Sequence, residues 1–188
     1  MIVDSFPDRT IQIEGEECLY FGGTAYLGLP TNTCFQKTLA QSLVKWGSFY
    51  GSSRNSNIKL SIFKEVEEVF AKQIGAEDSV ATSSGTLAGI LVLDHLSKTK
   101  NTFYHFPKTH PAILQSNSLP LFNENKLHPN LLNNIKEDIV ITADAILGLE
   151  VEPTSFEFLN TISSHKRITL LVDESHSLGI VGEQGEGI

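Results

Sequence analysis

The sequence predicts an α/β domain: a three-layer α-β-α arrangement around a mostly parallel sheet. Beyond Gly75, short apolar runs of β character at residues 79–82, 102–106, 119–122, 139–142 and 168–172 alternate with helix-length stretches at 86–96, 112–116, 129–136 and 155–165. Strand then helix is the repeat of a parallel sheet. The runs are apolar almost throughout, which suits a sheet covered on both faces. At 188 residues the chain is long enough to bury roughly 70% of its unfolded surface without a disulfide or metal staple.

Each element has its own local reason. Residues 11–21 form a mixed apolar and polar opening with Gly15 as a turn, read as an amino-terminal arm. Over 33–46, Phe35, Leu39, Leu43 and Val44 recur at helical spacing, and Gly47 stands where a helix stops. The Gly-, Ser- and Asn-rich stretch 47–57 is a loop. Ser61 then caps a helix whose apolar face is Ile62, Val66, Val69, Phe70 and Ile74, with Gly75 at its end. The chain contains no internal repeat, low-complexity tract or charge block, and so no obvious linker; it reads as one domain or most of one, with an arm and helix over 1–46 leading into the large domain over 47–188.

Composition narrows function by exclusion. Hydrophobic residues make up 40% and charged residues 19%, an ordinary globular balance. The net charge of −8 argues against a nucleic-acid partner held by phosphate neutralisation. Cys18 and Cys34 have no C-x-x-C spacing and are read as reduced thiols, in keeping with a cytoplasmic location. The amino terminus lacks the basic start and apolar run of a signal peptide, and no apolar stretch approaches the roughly 20 residues of a membrane span.

In open α/β sheets, ligands sit beyond the carboxyl ends of the strands. Three such ends are chemically loaded. Ser83-Ser84-Gly85-Thr86 opens an apolar helix and offers backbone N–H groups, a small residue and hydroxyls to a phosphate; equally, Ser84 or Thr86 is a plain helix cap. Asp173 ends a buried strand, where its carboxylate needs a cation or several donors, and His176 follows it; a turn cap and a core histidine are the plainer readings. His110 follows the run 102–106 and precedes a short helix. Asp173, Glu174 and His176 lack the spaced further ligands of a metal site. Together the three ends offer a phosphate cup, an aromatic ring and an acid able to hold a protonated ring nitrogen, the set that pyridoxal phosphate requires.

The chain resembles the amino-terminal part of fold-type I pyridoxal-phosphate enzymes, most closely the α-oxoamine synthase group. The segments that carry the resemblance are Tyr26-Leu27-Gly28-Leu29, Gly51-Ser52-Ser53-Arg54, Ser84-Gly85-Thr86, Thr109-His110, and above all Asp173-Glu174-Ser175-His176-Ser177-Leu178-Gly179 followed by Gly182-Glu183-Gln184-Gly185-Glu186-Gly187. The resemblance implies that Ser84, Gly85 and Thr86 bind the cofactor phosphate and that His110 stacks on the ring in a catalytic role. It implies that Asp173 pairs with the ring nitrogen and His176 with the phenolic oxygen. The reaction it implies is condensation of an amino acid with an acyl-CoA. The resemblance also implies a homodimer, in which the loop 47–54 reaches the partner's site.

The pattern departs from that family on the substrate side. Ala25 stands where the family has Asn, Ile58 where it has Gly, and Phe63 where it has His. Residues 143–150 are one residue short of the family's motif and lack its Ser. Asp144 and Glu150 in this stretch are read as turn and surface residues, with replacement of the missing groups as the alternative. Lys108 is the lysine nearest the proposed site, and the family gives it no role. The family's cofactor-bearing lysine lies beyond the segment matched here, so the chain is expected to be a portion incomplete for catalysis. An aminotransferase acting on a small amino compound, or a degenerate non-catalytic subunit paired with an intact one, are the alternative functions.

Overall fold

The structure is a computed structural model that describes residues 2–99 and 101–188. The chain forms two units, one reaching to Ser61 and one starting at Ile62. In the first, β1 (Thr10–Ile13) and β2 (Glu16–Leu19) pair antiparallel around Glu14 and Gly15. Both turn residues have positive φ, 51° and 87°, the backbone of a two-residue hairpin turn whose twist matches the strands. A 3-10 turn over Leu29–Thr31 leads into α1 (Thr33–Trp46). Asn32 caps α1 by accepting from Cys34 N and Phe35 N, each at 3.0 Å, and Gly47 ends it at φ 83°. Phe35, Leu39, Leu43 and Val44 occupy the expected helical spacing, yet α1 has no buried residue.

From the boundary onward, α2 (Ser61–Gln73), α3 (Gly85–Ser97) and β3 (Thr102–His105) follow in order. A 3-10 turn over Pro111–Ile113 precedes the short strands β4 (Leu119–Pro120), β5 (Phe122–Asn123) and β6 (Lys126–Leu127). The one-turn helix α4 (Pro129–Leu132) leads to β7 (Glu137–Asp144), then a 3-10 turn over Glu157–Thr161 and β8 (Lys166–Asp173). β4, β3, β7 and β8 form a parallel sheet in that order, confirming the α/β class.

The pleat sorts the core into two sides. Phe103 and Val140 are register partners and meet Leu93 and Leu96 of α3, with Leu171 beside them. On the opposite face, Tyr104, Ile139 and Ile141 pack with Leu121, Leu131 and Ile162. Phe158 and Leu159, on the 3-10 turn Glu157–Thr161, close that side. α3 is thus the one long helix in these two clusters, while the other face is covered by turns, a hairpin and α4.

Three expectations need correction. Residues 79–82 form no strand: Ser79 Oγ donates to Glu67 O at 2.8 Å, Ala81 N donates to Glu67 Oε1 at 2.7 Å, and Val80 is exposed. Their polar groups turn to α2 instead of to a neighbouring strand. The run 119–122 splits into β4 and β5 at a bend on Leu121, whose N–H still bonds β3 at His105 O at 2.9 Å while its carbonyl takes His128 N at 2.9 Å. The helix-length stretches 112–116, 129–136 and 155–165 contract to single turns.

Candidate functional site

Asp144 and Asp173 close β7 and β8 as register partners, so both carboxylates leave the same face of the sheet at its carboxyl edge. Asp144 is 5% exposed and Asp173 half-buried. A cavity of about 190 Å³ brings both together with His110, His176, Lys108 and Gly148. Burial drives the Asp144 carboxyl above the ordinary carboxylate range, and the neighbouring Asp173 charge pushes the same way. The His110 backbone N–H, followed by the His110 and His176 side chains, opposes that rise.

Local structure places each group. Phe106 N and Thr109 Oγ1 both donate to Thr142 O, at 2.8 and 3.2 Å, which fastens the segment after β3 to β7. His110 then starts the turn Pro111–Ile113, its Nδ1 accepting from Ala112 N at 3.2 Å. The turn's far side meets α3 at Gly89, where a Cβ would come within 2.3 Å of Ala112 O. After β8, Asp173 Oδ1 accepts from Ser175 N at 2.9 Å and starts a tight turn. Ser177, fully buried, bonds to Glu174, whose Oε1 also takes Ile188 N at 3.3 Å. This folded segment carries His176. Gly148 leaves room for it, since a Cβ there would lie 3.3 Å from His176 Nε2.

The structure therefore brings His110, Asp173 and His176 to one cavity. Ser84, Gly85 and Thr86 open α3 as expected but do not line that cavity. Ser84 is a helix cap, its Oγ accepting from Leu87 N at 3.1 Å, and all three residues are exposed. A cap does not exclude a cup: the first-turn N–H groups of Gly85 and Thr86 precede the intrahelical ladder and stay suited to an anion.

Asp144 is the residue that sequence reasoning misplaced. It is no surface or turn residue but a buried group between Asp173 and His110. The signal was present: the rule that led to Asp173, an acid closing an apolar strand, applies equally to Asp144 after residues 139–142. Lys108 also lines the cavity, with backbone in the left-handed region at φ 63° and Nζ 2.6 Å from Glu150 Oε1.

Fold and site together define an α/β domain that gathers two carboxylates and two histidines at the carboxyl edge of a parallel sheet. Comparison with known proteins gives the kind more closely. No family model matches the chain. It is 25% identical over 194 residues to a serine palmitoyltransferase of Sphingobacterium spiritivorum, covering 98% of this chain and 49% of that protein. It is 22% identical over 192 residues to an 8-amino-7-oxononanoate synthase of Lysinibacillus sphaericus, covering 96% and 49% respectively. The Sphingomonas wittichii serine palmitoyltransferase superimposes with a TM-score of 0.83 at 20% identity, covering 99% of this chain and 49% of that one. A solved structure of SPT with PLP superimposes with a TM-score of 0.78 at 18% identity, covering 99% and 49%. The chain spans about half the length of the curated relatives it matches, and it resembles a portion of an α-oxoamine synthase in sequence and in fold. Among the described residues, no helix is long and apolar enough to cross a membrane.

Proposed function

We propose that the chain is the cofactor-binding portion of a pyridoxal-phosphate-dependent transferase of the α-oxoamine synthase kind, acting on an amino acid with an acyl-CoA as donor. The observation that carries this reading is the pairing of Asp144 with Asp173 at the sheet edge, on one cavity with His110 and His176. The donor set fits the cofactor. Two carboxylates in register favour a cation near them, and a protonated pyridine nitrogen would supply one.

Asp173 would hold that nitrogen, His110 would lie on the ring face, and His176 would donate to or accept from the phenolic oxygen. The first turn of α3, through Ser84, Gly85 and Thr86, would take the phosphate. When bound, the cofactor supplies an electron sink for charge developing on the substrate's α-carbon. The rest of the reading follows the resemblance: an arm and helix over 1–46 before a cofactor domain over 47–188, a homodimer, and a cytoplasmic setting.

The test is a titration of the purified chain with pyridoxal phosphate, followed by absorbance. Saturable binding that weakens about tenfold or more in Asp173→Ala, the loss of one charge-assisted contact, supports the reading. Absence of saturable binding overturns it.

A further inference from the structure

We propose that Asp144 is a positioning residue, which fixes His110 against the ligand cavity by holding the His110 backbone N–H on its carboxylate. The proposal rests on the cofactor reading above and deepens it, because the resemblance ties no residue to the His110 backbone.

The His110 backbone N–H lies 3.1 Å from Asp144 Oδ2 and 3.3 Å from Oδ1, a bifurcated contact to a carboxylate buried at the end of β7. The residue before it, Thr109, is buried and bonds through Oγ1 to Phe106 O at 2.8 Å and Thr142 O at 3.2 Å. Asp144 is therefore the last of a series of ties between β7 and the segment 106–110. It is the one that reaches the residue bearing the ring. Beyond His110, the turn Pro111–Ile113 is stopped by the close approach of Ala112 to Gly89 of α3. Held at both ends, the backbone of His110 has little freedom, and the ring's position follows from the backbone's.

The charge of Asp144 matters as well as its shape. It faces Asp173 from β8, His110 from the turn after β3 and His176 from the turn after β8, with the Lys108–Glu150 pair beside the same cavity. A charge-assisted N–H contact is stronger than one to a neutral acceptor. Deprotonated, Asp144 grips the His110 N–H and adds to the negative site; protonated, it loosens both.

The experiment uses the 188-residue chain and has one arm without cofactor. The His110 amide resonance is followed with pH in wild type, Asp144→Asn and Asp144→Ala. The expected results are a wild-type amide shift that titrates above the ordinary carboxylate range, and no such titration in Asp144→Asn. Amide hydrogen exchange at His110 should rise modestly in Asp144→Asn, whose Oδ1 still accepts but without the charge, and at least about tenfold in Asp144→Ala. The second arm measures pyridoxal-phosphate affinity, expected to fall about tenfold in Asp144→Ala. A His110 amide that does not titrate in wild type, unchanged exchange in Asp144→Ala, or unchanged cofactor affinity in Asp144→Ala would each overturn the proposal. The wild-type titration keeps the test decisive even when Asp144→Ala does not fold. Failure of wild type to bind pyridoxal phosphate overturns the cofactor reading, and the amide arm then shows separately whether the tie exists.

Discussion

Asp144 and Asp173 are register partners at the carboxyl ends of adjacent parallel strands, and Asp144 is almost fully buried there. Two carboxylates so placed repel one another, and the sheet tolerates them because each has a backbone donor: His110 N for Asp144 and Ser175 N for Asp173. The arrangement stores a cost that ligand binding can release.

That cost makes stability depend on pH in a stated direction. The Asp144 carboxyl is raised in the folded chain, so the unfolded chain gives up this proton first as pH increases. Its contribution is fully present below about pH 4, the unfolded value, and is lost as pH rises through the folded value. Asp144→Asn, which keeps an acceptor for His110 without the charge, should therefore raise the melting temperature at pH 7. The gain should shrink as pH falls through the folded value and be gone below about 4. An equal or lower melting temperature at pH 7 would contradict this.

The opposite end of the sheet behaves in the opposite sense. The Lys166 side chain is fully buried, with Nζ 2.9 Å from Glu137 Oε2 and 3.0 Å from Asn133 Oδ1, while Thr102 Oγ1 donates to Glu137 Oε1. Hydrogen bonds from Lys166 and then Thr102 hold the Glu137 carboxyl below its ordinary value. A depressed carboxylate stabilises above the unfolded value and stops doing so as pH falls through the folded one. Lys166→Met should cost roughly 2–4 kcal/mol in urea unfolding at pH 7. Glu137→Gln should cost about 1–2 kcal/mol at pH 7 and become indistinguishable from wild type in acid.

Two glycines of α3 separate packing from propensity. At Gly89 a Cβ would meet the Ala112 carbonyl at 2.3 Å, whereas at Gly85 it would meet nothing within 4 Å. Gly89→Ala should lose about 1–3 kcal/mol through overpacking against backbone. Gly85→Ala should be neutral or gain up to about 1 kcal/mol. Thermal denaturation of the two variants side by side tests the contrast, and equal effects would refute the close approach.

Ser84 has a structural duty that Thr86 lacks. Removing its hydroxyl in Ser84→Ala should cost about 1 kcal/mol of stability through the lost cap on Leu87 N. Thr86→Ala should leave the free chain's melting temperature within about 0.5 kcal/mol equivalent, as expected of an exposed position. Weaker pyridoxal-phosphate binding in Thr86→Ala would then report the phosphate cup without interference from folding.

Lys108 is held at φ 63°, a conformation that favours glycine. Its ion pair with Glu150 is largely solvent-exposed and contributes at most about 1 kcal/mol. Lys108→Gly should therefore be neutral to slightly stabilising in denaturant unfolding. A clear loss would mean that the side chain does more for the fold than its pair with Glu150 accounts for.

Much of this architecture was legible in the residues. α1 runs over 33–46 because Gly47 and the spacing of Phe35, Leu39 and Leu43 bracket it, and β7 and β8 were visible as apolar runs ending in acids. What stayed hidden was decided by partners distant in sequence. Residues 79–82 have strand composition, but Glu67 captures their polar groups. Asp144 closes an apolar run as Asp173 does, but its contact with His110 N exists only once β8 and the His110 turn are folded around it. Whether an acid is buried is a property of its neighbours, and periodicity carries no record of those.

β8 pairs with β7 on one side, and among the described residues no strand lies on its other side. A parallel edge eight residues long is a template for further pairing. In a dilute solution it stays hydrated. In a concentrated one, strand addition between molecules competes with folding, and its rate climbs with the square of concentration. Purification yield should then depend more on how crowded the chain is while it folds than on how stable it is afterwards.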